Sequence, residues 1–288
     1  MTLASCDSRK TAGENPFFTQ WDTPHGVPPF DKILPEHFMP AFERGMSLHE
    51  AEIDAITSNK DEATFENTIL AYDNAGQMLA QTELVFGMLC AAETNDRMQA
   101  LQEQAMPLLA AHRDKIRLDD KLFVRVKEVY DRRAALGLDA EQMRLLQKTY
   151  DSFVRAGALL GAEQKARLKE INGQLSLTAV KFGNNILAEN NNFVLELKSD
   201  ELDGLPAGIR DAAREKAQQM GKGDKWVFTL HKPSLIPLLT YSTRRDLREK
   251  IYKAYLNRCN NGDEYDNKQL INDFIRLRTE KAHLLGYP

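Results

Sequence analysis

From residue 162 to residue 186, Leu168, Ile171, Leu175, Thr178, Phe182 and Ile186 recur at steps of three and four. That is the period of a helix packed along most of its length, and it commits the chain to a mainly α fold. The segments before it carry the same period. Pro35 stands where a first-turn proline belongs, and Phe38, Phe42, Met46, Ile53 and Ile56 follow it, which predicts a helix to about Thr57. Thr64 is placed to cap the next helix, with Asn67 at its N3 position; Phe65, Ile69, Tyr72, Gly76, Leu79, Phe86 and Cys90 trace one face. Asn95 or Asp96 caps a further helix through Leu101, Leu108 and Leu109, in which Pro107 predicts a kink or a break. Leu122, Val126 and Val129 mark another, ending before Gly137, and Met143, Leu146, Tyr150, Phe153 and Gly157 mark the one after it.

The period changes after Asn190-Asn191-Asn192, three amides that favour a turn over a helix interior. Phe193, Leu195 and Leu197 alternate with Val194, Glu196 and Lys198, as Trp226, Phe228 and Leu230 later do with Val227, Thr229 and His231. A period of two predicts a small paired two-stranded element near residues 193–231, with an Ala-rich helix between the strands. Helix then resumes in a short piece at 233–240, at 243–258 and at 267–285. The expected organisation is a polar start over 1–14, a helical N-terminal domain over 15–190, and the β element plus further helices over 191–288.

With 42% hydrophobic residues in 288, the chain can bury a sizeable core. A formal net charge of -4 offers no broad basic surface to neutralise phosphates, so nucleic acid is not expected as a partner. The longest apolar runs are far too short to span a membrane. Three cysteines, Cys6, Cys90 and Cys259, lack the paired spacing of a zinc knuckle or a redox dithiol; Cys90 and Cys259 read as buried or half-buried free thiols.

Cys6 closes Leu3-Ala4-Ser5-Cys6, which matches a bacterial lipobox and precedes a polar, tether-like run to Gly13. The basic and apolar stretch that should precede a lipobox is missing from residues 1–5, so the reading requires a start upstream of Met1. It predicts lipidation at Cys6, membrane attachment through that lipid and a bacterial cell-envelope location; a chance match leaves the chain cytoplasmic.

Candidate chemistry is sparse. Of the six histidines, His25, His37, His49, His112, His231 and His283, no two have the four-residue spacing that sets two metal ligands on one helical face. His49-Glu50-Ala51-Glu52-Ile53 begins like a metallopeptidase zinc helix, but isoleucine at the fifth position cannot ligate, so it reads as a solvated helix face. Scattered acids such as Asp73, Glu83 and Glu93 need no catalytic explanation. Ala111-His112-Arg113-Asp114 offers a His-Asp couple without a supporting nucleophile. The charged run 243–250 reads as a salt-bridged surface, with Asp246 facing Lys250 and Arg245 facing Glu249. Asn184, Asn185 and the amides at 190–192 read as turn and cap residues. Tyr72, Tyr150, Tyr241, Tyr252, Tyr255 and Tyr265 read as core aromatics before they read as a peptide groove. No catalytic or metal-ligating residue is therefore assigned within the chain.

Several ordered segments nevertheless carry a resemblance. They are Asn15-Pro16-Phe17-Phe18, Pro28-Pro29-Phe30-Asp31, Pro35-Glu36-His37-Phe38-Met39-Pro40-Ala41-Phe42, Thr64-Phe65-Glu66-Asn67-Thr68-Ile69 and Ala111-His112-Arg113-Asp114. Later come Phe153-Val154-Arg155-Ala156-Gly157-Ala158, Arg167-Leu168-Lys169-Glu170-Ile171-Asn172, Leu239-Thr240-Tyr241-Ser242, Arg276-Leu277-Arg278-Thr279-Glu280-Lys281-Ala282 and Leu284-Leu285-Gly286-Tyr287-Pro288. Together they resemble the front portion of the thimet-oligopeptidase family of zinc metallopeptidases, in its bacterial peptidyl-dipeptidase branch. The resemblance implies a mostly helical body with a deep channel that admits short peptides. It also implies zinc on a later His-Glu-x-x-His helix, a proton-accepting glutamate there, and release of dipeptides from substrate C-termini. On that reading this chain is a non-catalytic stretch of channel wall, inactive and zinc-free alone, and its missing partner is a C-terminal catalytic half. Apolar surface left uncovered by that half is expected to promote association. The alternative is a non-catalytic, peptide-binding helical envelope lipoprotein that lacks the catalytic half.

Overall fold

The computed structural model describes residues 15–288; Cys6 and the lipobox-like start lie outside the described residues. Two compact units divide the chain. The first holds the described residues up to Leu177 together with Thr279–Pro288, and the second is Thr178–Arg278. The division falls inside one long helix, at 177/178.

In the first unit, a 3-10 turn at Pro35–His37 leads into α1 (Phe38–Ser58), as the first-turn proline predicted. Thr64 and Asn67 form a reciprocal cap: each side chain accepts the other's backbone N–H, at 3.1 Å and 2.8 Å. The helix that follows is not continuous to Cys90. A π-helical turn at Phe65–Leu70 runs into a short α2 (Ala71–Asp73), and Gly76 then takes φ 75°, so α3 (Gln77–Ala92) starts afresh. Glycine at Gly76 permits this left-handed turn, which a helical period of apolar residues cannot reveal. α4 (Asp96–Arg117) runs through Pro107 without interruption; the proline removes one intrahelical donor and the flanking turns persist. α5 (Asp120–Asp131) and α6 (Ala140–Ala156) follow, the latter capped by Asp139 and stopped by Gly157 at φ 99°.

Two apolar clusters hold this unit. Phe38, Phe42, Phe86 and Leu109 centre one, with Phe42 and Phe86 edge to face at 5.3 Å. Ile69, Leu122, Val126, Leu146 and Phe153 centre the other. Gly45 lets α1 and α3 approach closely, since a Cβ there would sit 3.0 Å from Leu79 Cα.

α7 (Ala162–Asn192) is longer than its apolar period suggested, because the helix carries on through all three asparagines. Those amides serve tertiary contacts: Asn190 Oδ1 accepts from Arg258 at 3.2 Å, and Asn185 Nδ2 donates to Asn267 Oδ1 at 2.8 Å within the second unit. In that unit β1 (Leu195–Leu197) pairs antiparallel with β2 (Trp226–Phe228), Glu196 opposite Val227, as the alternation predicted. α8 (Ala207–Gln219), α9 (Lys232–Tyr241) and α10 (Arg245–Leu256) enclose a core of Leu195, Leu197, Phe228, Leu238 and Ile251. α11 (Lys268–Leu284) follows. A mainly α fold with one two-stranded sheet is what the periodicities predicted. No helix among the described residues is long and apolar enough to cross a membrane.

Candidate functional site

Two segments that the sequence left apart meet in the first unit. α1 presents His49, Glu50 and Glu52, and α4 presents His112 and Lys115. His112 Nε2 lies 3.0 Å from His49 Nδ1, and His112 Nδ1 lies 3.4 Å from Glu50 Oε1. Glu50 Oε2 meets Lys115 Nζ at 2.8 Å, and Glu52 Oε2 accepts the Gly76 N–H at 2.7 Å. The bonding fixes an order of protons. With His112 Nδ1–H turned to the carboxylate, neutral His112 offers Nε2 as acceptor, and His49 Nδ1–H donates to it.

Burial pushes the His49 imidazole below the ordinary histidine range, helped by the neighbouring His112 ring and opposed by Glu52 and Glu50. Burial likewise pushes His112 down against the pull of Glu50. The Glu50 carboxyl is held low by its bond to Lys115. His49-Glu50 is thus one side of a polar junction that ties α1 to α4 and to the Gly76 turn, not a freely solvated face.

A second polar seam lies nearby in sequence. Asn172 Nδ2 donates to both Asp114 oxygens at 2.8 and 2.9 Å, and Lys281 Nζ donates to Asn172 Oδ1 at 2.6 Å. Burial raises Asp114 above the usual carboxylate range, against the bonds from Asn172. Arg167 grips Glu280 with two parallel bonds of 2.6 and 2.9 Å. Asp114 therefore faces an amide, and the suggested His112–Asp114 couple does not form a catalytic pair. Asp73 and Glu93 are exposed and Glu83 half-buried. Among the described residues no group of three or more His, Cys, Asp or Glu side chains is placed to hold a metal ion, so the donor set present does not fit zinc.

The remaining sequence candidates lie in differing environments. Tyr72 packs on Phe153 at 5.2 Å and Tyr130 stacks on Tyr150 at 3.8 Å, whereas Tyr241 and Tyr252 are about half exposed at 49% and 51%. The charged helix is salt-bridged as anticipated but with other partners: Arg244 with Asp246 and Glu249 with Lys253. Cys90 and Cys259 are free thiols, half-buried and buried. Residues that spacing could not single out include Arg125, whose buried guanidinium donates to Asn59 O at 3.0 Å, Asp61 O at 3.2 Å and Asn67 Oδ1 at 3.1 Å. In the second unit, α7 and α11 leave an apolar groove of about 320 Å³ lined by Phe182, Ile271, Phe274 and Ile275.

The profile of peptidase family M3 matches residues 238–288, from α9 through α11. Dipeptidyl carboxypeptidase of Escherichia coli (strain K12) is 36% identical over 275 residues, which is 95% of this chain and 40% of that protein. Dipeptidyl carboxypeptidase of Salmonella typhimurium is 34% identical over 95% of this chain and 40% of its own length. Oligopeptidase A of Escherichia coli is 26% identical over 92% of this chain, again 40% of the relative. The chain thus matches peptidase family M3 over residues 238–288 and resembles the dipeptidyl carboxypeptidases over 95% of its length. It spans about 40% of the length of the relatives it matches.

Proposed function

We propose that this chain is the N-terminal, non-catalytic part of a zinc metallopeptidase that hydrolyses short peptides and releases C-terminal dipeptides. The carrying observation is the 36% identity with a dipeptidyl carboxypeptidase across 95% of the chain. On this reading the helical bundle is part of a substrate-channel wall. Zinc and the hydrolytic groups are supplied by a catalytic half outside these 288 residues. The chain's own junctions, His49 with His112 and Asp114 with Asn172, hold helices in register and carry no step of the hydrolysis. The open groove at Phe182, Ile271 and Ile275 is in keeping with a surface that further polypeptide covers. We place the protein in the bacterial envelope through a lipid on Cys6, on the strength of Leu3-Ala4-Ser5-Cys6 alone.

The test compares the 288-residue chain with the polypeptide extended along its reading frame. The extended protein is expected to bind one zinc and release dipeptides from an N-blocked oligopeptide in a chelator-sensitive way, and the chain alone to do neither. Stoichiometric zinc and chelator-sensitive cleavage by the chain alone would overturn the reading. So would an extension without a His-Glu-x-x-His helix. Mass analysis of the mature N-terminus tests the lipid: an unmodified Cys6 removes the envelope assignment.

A further inference from the structure

The chain contains two Asn-Gly pairs, Asn172-Gly173 and Asn261-Gly262, one inside a helix and one in an exposed loop. Asparagine before glycine is where the backbone nitrogen of the next residue most easily reaches the side-chain amide carbon, because no Cβ blocks it. Asn172-Gly173 lies inside α7, where the Gly173 N–H belongs to the helical ladder and the Asn172 amide is held between Asp114 and Lys281. Asn261-Gly262 lies in the exposed loop between α10 and α11. Gly262 has φ 73° with nothing within 4 Å of where a Cβ would stand, and its N–H is donated to Asp266 Oδ2 at 2.7 Å.

We propose that Asn261 is a site of spontaneous covalent conversion to aspartate and isoaspartate, and that this conversion releases the loop from the end of α7. Gly262 N attacks Asn261 Cγ, a new N–Cγ bond closes a five-membered succinimide, and the Cγ–Nδ2 bond breaks. The Gly262 proton passes to the Asp266 carboxylate that already accepts it and leaves with the departing nitrogen as ammonia. Water then opens the ring at either carbonyl, giving the α- or β-linked acid. Nothing beyond water is consumed.

The consequence follows from Glu189. Its two carboxylate oxygens accept from Cys259 N and from Asn261 Nδ2, so one side chain on α7 clamps two points of the loop. Conversion replaces the Asn261 donor with a carboxylate facing the Glu189 carboxylate, and like charges at that separation repel. Arg258 with Asn190 and Asn185 with Asn267 remain as the other ties.

The test is incubation of the folded 288-residue chain near neutral pH, with peptide mapping and enzymatic methylation of isoaspartate as readouts. Conversion at Asn261 is expected at least about tenfold faster than at Asn172, with both converting at similar rates in urea. The Asn261→Gln variant should show no conversion at 261, and Asn261→Asp should raise hydrogen exchange of the Cys259 amide severalfold. A folded chain in which Asn261 stays intact, or converts no faster than Asn172, would overturn the site. An unchanged Cys259 amide in Asn261→Asp would overturn the release of the loop.

Discussion

His49 and His112 face each other nitrogen to nitrogen at 3.0 Å, across two helices that are 63 residues apart in sequence. One proton can lie between the two rings without leaving a donor stranded. A second puts two N–H groups against each other, with Glu50, itself engaged by Lys115, and Glu52 and Glu83 as the compensating charges.

Stability is therefore expected to fall as pH drops below about 6.5, the ordinary histidine value. Both imidazoles are shifted downward in the fold, so the unfolded chain takes up protons first; the loss begins near the unfolded value and continues through the lower folded ones. Urea midpoints measured from about pH 7.5 to 5 check this. The paired substitution His49→Gln with His112→Gln should flatten the profile in that window, and an unaltered slope would remove the junction as its source.

Gly76→Ala should cost about 1–3 kcal/mol, because φ 75° disfavours any side chain and the new Cβ would lie 2.9 Å from His49 Nδ1. Gly137→Ala has similar backbone strain, φ 64°, and nothing within 4 Å. The smaller loss expected there, about 1 kcal/mol, isolates the contribution of the His49 contact when both are measured by chemical denaturation.

Arg125→Ala should destabilise the first unit by about 1–3 kcal/mol, by stripping donors from the carbonyls of Asn59 and Asp61 and from the Asn67 amide oxygen. Arg125→Lys should recover only part of this, since a compact ammonium cannot reproduce the guanidinium fork. Full recovery with lysine would mean that charge, not geometry, carries the effect.

Phe153→Ala should cost about 3–5 kcal/mol, since Phe153 is 0% exposed and touches Tyr72 and Phe123 in the cluster shared by α5 and α6. Leu84→Ala, at a residue 66% exposed, should change the unfolding free energy by no more than about 0.5 kcal/mol.

What could be read from the sequence was whatever is written at short range. The Pro35 start of α1, the Thr64 cap, the helix marked by Leu146 and Phe153, and the alternation that makes strands of Leu195–Leu197 and Trp226–Phe228 all follow from spacing within a few residues. The turn at Gly76 escaped because its apolar neighbours keep a helical period on both sides. His49 and His112 were each visible, yet their meeting depends on how α1 packs against α4, which no local pattern encodes. The asparagines at 190–192 misled for the same reason: propensity favoured a turn, and tertiary bonds such as Asn190 with Arg258 favoured helix. Arg125 and Glu189 carried no signal at all, since their partners are backbone groups and an amide some 58 to 72 residues away.

The first unit is assembled from two stretches of chain, and the second is inserted between them. The Arg167–Glu280 fork joins residues 113 apart and belongs to the first unit, so that unit cannot finish until the whole of 178–278 has been made. Emerging from the ribosome, the early helices must wait with the α7 face unsealed while an independent core forms behind them. Order of synthesis and order of completion thus run in opposite senses: Thr279–Pro288, made after the second unit, is the segment that locks the first.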